Sequence, residues 1–353
     1  MEIETLKYRL NQLEQYIEQS ERILLTTHVN PDGDAVGSML AVYHYLEAKG
    51  VKCKMLVPGK IPSFLVWMEG CNKIIVGEQR HRKAVTVIEN ASLIICIDFN
   101  ALQRTAGYSE LIRQSTAKKI LIDHHPQPEP EFDLVFSDTE FSSTAELVYR
   151  MIEISGDTAL VDSKIAVPLY VGIMTDTGSF SFSCNRPDTF RVAASLIEAG
   201  VDAEKVHRRV FDTYSENRMR LLGFCLSEKL IVLNDYATAY ISLSAHELEH
   251  FGYVEGDNEG LVNFPLSIRN VVLSVLFIER EDKIRLSFRS KGNFSVNEFA
   301  RKHFNGGGHR NAAGADSVLS LDEAISYFIS VLYHYKLDLK EQLTLDWKDN
   351  GVR

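Results

Sequence analysis

Three apolar runs in this chain end on acids or histidines: LLTTHVNPDGD, LIICIDFN and ILIDHHP. A strand buried on both faces reads as an unbroken apolar run, and an open α/β sheet binds its ligands beyond the carboxyl ends of such strands. The three endings therefore gather His28, Asp32, Asp34, Asp98, Asp123, His124 and His125 at one rim. One Asp after one strand would be an ordinary cap or turn residue. Three such endings, with H-x-x-x-D-x-D and D-H-H among them, point to a metal site.

The rest of the first half fits such a sheet. ERILLTTH, VKCKMLVPG, ASLIICID and AKKILIDHH read as strands. AVGSMLAVYHYLEAKG, STAELVYRMIEISG and RPDTFRVAASLIEAG read as helices, the first ending at Gly50. DSKIAVPLYVGIMTDTGSF brings a further helix into a Thr-Asp-Thr-Gly turn that carries Asp176. This alternation predicts an α/β domain, a mainly parallel sheet flanked by helices.

The texture changes near residue 225. KLIVLNDYATAYISLS is a hairpin around Asn234-Asp235, and NVVLSVLFIEREDKIRLSFRS is a second pair turning near Glu281-Asp282. SVNEFARKHF is helical, NGGGHRNAAGA a Gly-rich loop, and LDEAISYFISVLYHY a closing helix. A smaller α+β domain follows from that. The expected division is a metal-binding domain over 1–205, a helical linker over 206–228 and a substrate-binding domain over 229–345. With 353 residues, 45% of them hydrophobic, the chain has enough apolar surface for two cores.

Composition removes several classes. A formal charge of −10 argues against a protein that coats DNA, which needs a broad basic face, but leaves a short nucleotide substrate open. No apolar stretch approaches the roughly 18 residues of a membrane span. The opening MEIETLKYRLNQLEQYIEQS has Leu6, Leu10, Leu13 and Ile17 at helical spacing with charges throughout, so it reads as an amphipathic helix and not a signal peptide. That helix could serve a homodimer or cover the sheet. The five cysteines include no C-x-x-C pair and read as reduced thiols of a cytoplasmic protein.

Charge repulsion sharpens the metal reading. Asp32, Asp34, Asp98 and Asp176 converging without cations would raise one another's pKa values steeply, whereas two divalent ions neutralise them. His28, Asp32, Asp34, Asp98, His124 and Asp176 suit two ions sharing a carboxylate, and Asp98 is the natural bridge. Carboxylate and imidazole ligands without thiolate favour Mn²⁺, with Mg²⁺ the alternative that prefers oxygen alone. Asp123 could orient a neighbouring imidazole, as carboxylates do behind metal-bound histidines. Two ions are a standard apparatus for in-line phosphoryl displacement. In the second half, Gly306, Gly307 and Gly308 would let backbone amides approach a phosphate, with His309 adding a donor. Arg289 and Ser290 could reach a phosphate too. Arg104 reads either as a phosphate contact or as a surface residue. Phe288, Phe294 and Phe304 read as core more readily than as a stacking face.

The segments H-V-N-P-D-G-D-A-V-G-S, I-D-F-N, D-H-H-P and T-D-T-G, in this order, resemble the four motifs of the DHH phosphoesterases. N-G-G-G-H-R-N-A-A-G over 305–314 resembles the signature of the DHH-associated C-terminal domain. The pairing of these two domains is similar to the nano-RNase/pAp phosphatase (NrnA-type) branch. The resemblance implies one metal on His28, Asp32 and Asp98 and a second on Asp34, Asp98, His124 and Asp176. It also implies His125 over the scissile phosphate as electrophile or proton donor. The substrates would be short single-stranded RNA, cut to mononucleotides, or 3′-phosphoadenosine 5′-phosphate (pAp), cut to AMP and phosphate.

Other readings compete with this one. Linear or cyclic dinucleotide hydrolysis would use the same chemistry, and a nucleotide sensor would use the same pocket without turnover. An inorganic pyrophosphatase would share the first domain, but the G-G-G-H loop counts against it. His246-Glu247-Leu248-Glu249-His250 matches the H-E-x-x-H pattern of zinc peptidases, yet it lies in a charge-rich stretch with no clear third ligand. A solvated short helix is the better reading there.

Overall fold

The computed structural model describes residues 3–348. The chain divides between Thr213 and Tyr214, inside the segment expected as a linker. The first unit runs α1 (Ile3–Glu18), β1 (Ile23–Thr26), α2 (Gly33–Ala48), β2 (Cys53–Val57), β3 (Ile75–Val76), α3 (His81–Glu89), β4 (Leu93–Ile97), α4 (Ser109–Gln114) and β5 (Lys118–Asp123). It continues through β6 (Leu134–Ser137), α5 (Thr144–Ile154), α6 (Ser163–Asp176), α7 (Pro187–Glu198) and α8 (Ala203–Phe211).

Its six strands pair in parallel, in the order β3-β2-β1-β4-β5-β6. The apolar runs are continuous because both faces are covered. Ile23 and Leu25 of β1 enter the core beneath α2, α5 and α6, while Leu24 enters the opposite core with Ala84, Val87 and Ile88 of α3. β6 and the two-residue β3 escaped the sequence reading, since so short a run carries almost no periodicity. Leu6, Leu10 and Leu13 of α1 join the first of these cores. The apolar stripe is thus buried inside its own unit. That removes the dimer as a reason for its pattern.

The second unit runs α9 (Glu216–Phe224), β7 (Leu230–Leu233), β8 (Thr238–Leu243), α10 (Ala245–His250), β9 (Leu273–Glu279), β10 (Ile284–Ser290), α11 (Val296–Phe304), β11 (Gly307–Gly308), β12 (Ala312–Ser317), α12 (Leu321–Leu332) and α13 (Lys336–Lys348). The sheet order is β11-β12-β10-β9-β8-β7, antiparallel except for the parallel β8–β9 pair. Both expected hairpins are present. Phe288, Phe294 and Phe304 are core residues, and Phe328 of α12 packs with them.

Two expectations change here. The Gly-rich stretch is not a loop but a hairpin, β11 turning through His309 into β12. Gly306 and Gly308 are required by close approach: a Cβ would meet Gly314 O at 2.2 Å and Ala312 O at 2.4 Å respectively. The expected linker is also divided. Val206 and Val210 of α8 belong to the first core, and Leu221 of α9 to a core of the second unit.

Candidate metal centre

The strand order reverses between β1 and β4, the switch point beyond which an open parallel sheet leaves a crevice at its carboxyl end. His28 lies two residues past β1, Asp98 immediately past β4, and Asp123 closes β5 ahead of His124 and His125. Asp98 takes a left-handed backbone with φ of +65° while its amide donates to Ile122 O at 2.9 Å. Such a conformation costs on the order of 1–3 kcal/mol outside glycine and is tolerated best by Asp and Asn. It ends the strand at the residue that carries the carboxylate.

The other carboxylates come from helix ends. Asp32 caps α2, its Oδ1 accepting from Ala35 N at 3.0 Å. Asp34, in the first turn of α2, is nearly inaccessible and accepts from Thr144 N at 2.6 Å, Ala145 N at 2.9 Å and Ser38 Oγ at 3.1 Å. The anion at the start of α5 is therefore this side chain. Asp176 is the last residue of α6.

Ligand atoms of His28, Asp32 and Asp98 fall within 4.8 Å of one another, and so do those of Asp34, His124 and Asp176. His28 Nε2 lies 3.7 Å from Asp98 Oδ2. His124 Nε2 lies 3.8 Å from Asp34 Oδ2, 3.8 Å from Asp98 Oδ1 and 3.3 Å from Asp176 Oδ2. Asp98 thus turns one oxygen to each group. His124 Nδ1 donates to Phe141 O at 3.3 Å, which leaves the Nε2 lone pair toward the carboxylates in the neutral ring. His125 Nδ1 donates to Asp123 Oδ1 at 2.7 Å, and Arg104 Nη1 donates to its Nε2 at 3.1 Å.

This assembly is electrostatically unfinished without cations. Burial and the neighbouring Asp32 push Asp98 up to about 6. Burial and Asp98 raise Asp34 well above the usual carboxylate range, despite the amides that favour its charged form. Burial drives His28 down to about 4, and its Nε2 has no hydrogen-bond partner. Burial works against the charged ring of His124, but Asp34, Asp98 and Asp123 outweigh it and raise the pKa. Burial opposes ionisation of Asp32 as well, yet His28, the Ala35 amide and Arg104 hold it below its ordinary value. Asp123 is held low by His125 against the cost of its own burial. A divalent cation among these oxygens would lower the raised carboxylates and give the orphaned His28 nitrogen a partner. The donor set fits such an ion.

Residues 22–173 match the DHH family, N-terminal domain, and residues 234–333 match the DHHA1 domain. Over 308 residues the chain is 30% identical to the bifunctional oligoribonuclease and PAP phosphatase NrnA of Bacillus subtilis, covering 86% of this chain and 91% of that one. It is 32% identical to the protein of the same name from Thermus thermophilus, covering 86% of each. The chain belongs to the DHH family. The crystal structure of an exopolyphosphatase-related protein from Bacteroides fragilis superposes with a TM-score of 0.90 at 39% identity, covering 94% of this chain and 98% of that one.

The DHH-domain centre rests on residues that the sequence did not single out. Thr144 Oγ1 donates to Asp98 Oδ1 at 2.8 Å, so one residue steadies Asp98 by its hydroxyl and Asp34 by its amide. Glu146 accepts from the amide and hydroxyl of Ser142, fixing the turn that presents Phe141 O to His124. Thr144 carried a signal only as a helix start. Phe141 acts through its backbone and carried none.

In the DHHA1 unit, Arg289, Ser290, Gly306, Gly307, Gly308 and His309 lie on β10 and the β11–β12 hairpin. Several of their polar groups are already engaged. Ser290 Oγ donates to Phe294 O and accepts from Asn311, which ties two loops together. The amides of Gly306, Gly308 and His309 donate to Ala300 O, Asn297 Oδ1 and Ala312 O, so those three do not form a phosphate cradle. Arg289 also donates to Phe288 O. The H-E-x-x-H segment is the six-residue α10, where Glu247 closes a capping box with Ser244 and pairs with Lys229 at 2.7 Å. That glutamate is a structural group and no general base.

Proposed function

We propose that this protein is a two-cation phosphoesterase that hydrolyses short oligoribonucleotides to mononucleotides and pAp to AMP and phosphate. The observation that carries the reading is Asp98, whose two oxygens face two separate His/Asp groups. The activities in the names of the Bacillus and Thermus relatives support the choice of substrates. His28, Asp32 and Asp98 would hold one cation, and Asp34, Asp98, His124 and Asp176 the other. Mn²⁺ is the cation we assign, because mixed imidazole and carboxylate donors suit it better than Mg²⁺. Such a pair supplies charge neutralisation at phosphorus and a more acidic attacking water.

The chain's own groups do the positioning. Asp123 locks His125 in one orientation with its proton on Nδ1. Arg104 Nη1 lies 3.1 Å from His125 Nε2, so a phosphoryl oxygen that accepts from this guanidinium lies beside the ring. Arg104 donates to that oxygen, and once the guanidinium has turned to it, His125 with a proton on Nε2 as well as on Nδ1 serves the leaving oxygen as electrophile or acid. Thr144 holds Asp98 steady through the reaction. Arg289 and His309 are the side chains of the second unit assigned to binding a phosphate. One phosphate and one or two stacked bases, each base worth about 1–3 kcal/mol, suffice without a long basic groove. A reducing, cytoplasmic setting belongs to the same reading, supported by five cysteines that are free thiols.

The test is release of phosphate and mononucleotide from pAp and an RNA trimer with Mn²⁺, Mg²⁺ or Zn²⁺, on wild type and Asp98→Ala. The expected result is Mn²⁺-stimulated turnover that the substitution abolishes. Nucleotide binding without turnover under every metal would overturn the enzyme reading in favour of a sensor.

A further inference from the structure

Beyond Asp176 the backbone does something costly. Gly178, Ser179 and Phe180 take φ values of +52°, +59° and +62° in succession, and Ser183 takes +52°. Left-handed turns of non-glycine residues are strained and persist only where the surroundings over-determine them, commonly at ligand clamps. Here Thr177 supplies the restraint. Its carbonyl accepts from the amides of Ser181 at 2.8 Å and Phe182 at 3.1 Å, and its hydroxyl accepts from Phe180 N at 3.0 Å. Ser179 N adds a bond to Met174 O at 2.7 Å.

The turn sends two aromatic rings to different places. Phe180 packs against the core beside Tyr170, with ring centroids 5.8 Å apart. Phe182 is folded back over Gly178, where a Cβ would stand 2.1 Å from Cε1 of its ring. Phe182 is still 49% exposed, and Phe190, whose ring neighbours that of Phe180, is 51% exposed. The core needs Phe180 and does not need Phe182. A strained, hydrogen-bonded turn thus fixes a half-open aromatic ring against the backbone two residues past a candidate metal ligand.

We propose that Phe182 is a stacking platform for a nucleobase of the substrate held at the metal centre. The reading rests on the phosphoesterase function above and adds a base-binding contact to it. A contact made to the base alone favours ligands that carry a base over those that end at the sugar. It tolerates any base, since each has a π face. Gly178 is its structural condition, because a side chain there would displace the ring.

The experiment is calorimetric titration of the Mn²⁺-loaded protein with AMP and with ribose 5-phosphate, which turnover does not complicate. Wild type is expected to prefer AMP, and Phe182→Ala to lose about 5- to 150-fold of that preference while its affinity for ribose 5-phosphate stays put. Phe182→Trp keeps the preference. An equal loss for both ligands, or no preference in wild type, overturns the platform. Trimer hydrolysis by the same wild-type protein is scored separately. Its absence, with the AMP preference intact, counts against the enzyme reading and not against the platform.

Discussion

At the scale of single residues, the centre is a set of groups whose charges are mutually wrong until cations arrive. Burial and Asp32 raise Asp98 to about 6, and burial and Asp98 raise Asp34 well above the usual carboxylate range. The sign follows from linkage. A carboxyl whose folded pKa is raised stabilises the metal-free fold below its unfolded value near 4, and that stability is lost as pH rises through about 6. Cations need the ionised forms, and the raised His124 must also lose its proton. His28, lowered to about 4, is neutral throughout and does not compete. The increment in melting temperature given by a fixed Mn²⁺ concentration should therefore grow from pH 5 to pH 7.5. Melts with and without EDTA at the two pH values check this, and equal increments would contradict it. Thr144→Val removes the hydroxyl that donates to Asp98 but keeps the amide that holds Asp34. The expected outcome is a 10- to 100-fold loss of metal affinity, of the order seen when such outer partners are removed, with Thr144→Ser near wild type. Metal titration by calorimetry decides it.

At the scale of elements, the tight α2–α6–α5 contact sets the position of Asp34. A Cβ on Gly172 of α6 would stand 2.6 Å from Ala145 Cβ and 2.8 Å from Asp34 Oδ1, and one on Gly37 of α2 would stand 2.3 Å from Pro168 O. Gly172→Ala should cost about 1–3 kcal/mol by overpacking and also weaken metal binding, because Asp34 must move. Gly223→Ala, in α9 with open space around it, should instead stabilise by about 0.5–1 kcal/mol. Denaturant melts of the two variants should move in opposite directions. These glycines also mark what a sequence can tell. Asp98 and the Asp123-His124-His125 triplet were legible because metal chemistry demands uncommon residue types at strand ends. Gly37 was read as part of a helix start, and its contact with Pro168 depends on a neighbour 131 positions away, which periodicity does not report. Thr144 and Phe141 act through a common hydroxyl and a carbonyl, groups with no compositional signature. The β11–β12 hairpin was hidden by its glycines, since a strand without side chains shows no alternation.

At the scale of the whole molecule, the chain has two units with cores of their own, and both His/Asp groups that share Asp98 lie within the first. The ligands are drawn from β1, β4, β5, α2 and α6, so unfolding that unit scatters all of them. A ligand that binds only the folded form stabilises it by about 2.7 kcal/mol at one hundred times its dissociation constant. For a unit of roughly 200 residues each kcal/mol shifts the midpoint by about 2–4 °C, giving about 5–10 °C in all. Scanning calorimetry of the intact protein should therefore show Mn²⁺ raising a transition that carries the first unit's unfolding enthalpy. The enthalpy of the second unit, whose hairpin and β10 hold none of these ligands, should remain at its metal-free temperature. Asp98→Ala should cancel the shift, since both groups lose a donor at once. An equal shift of the entire heat-capacity envelope would mean that the two cores unfold as one, and the cations would then stabilise the DHHA1 unit as strongly as the unit that binds them.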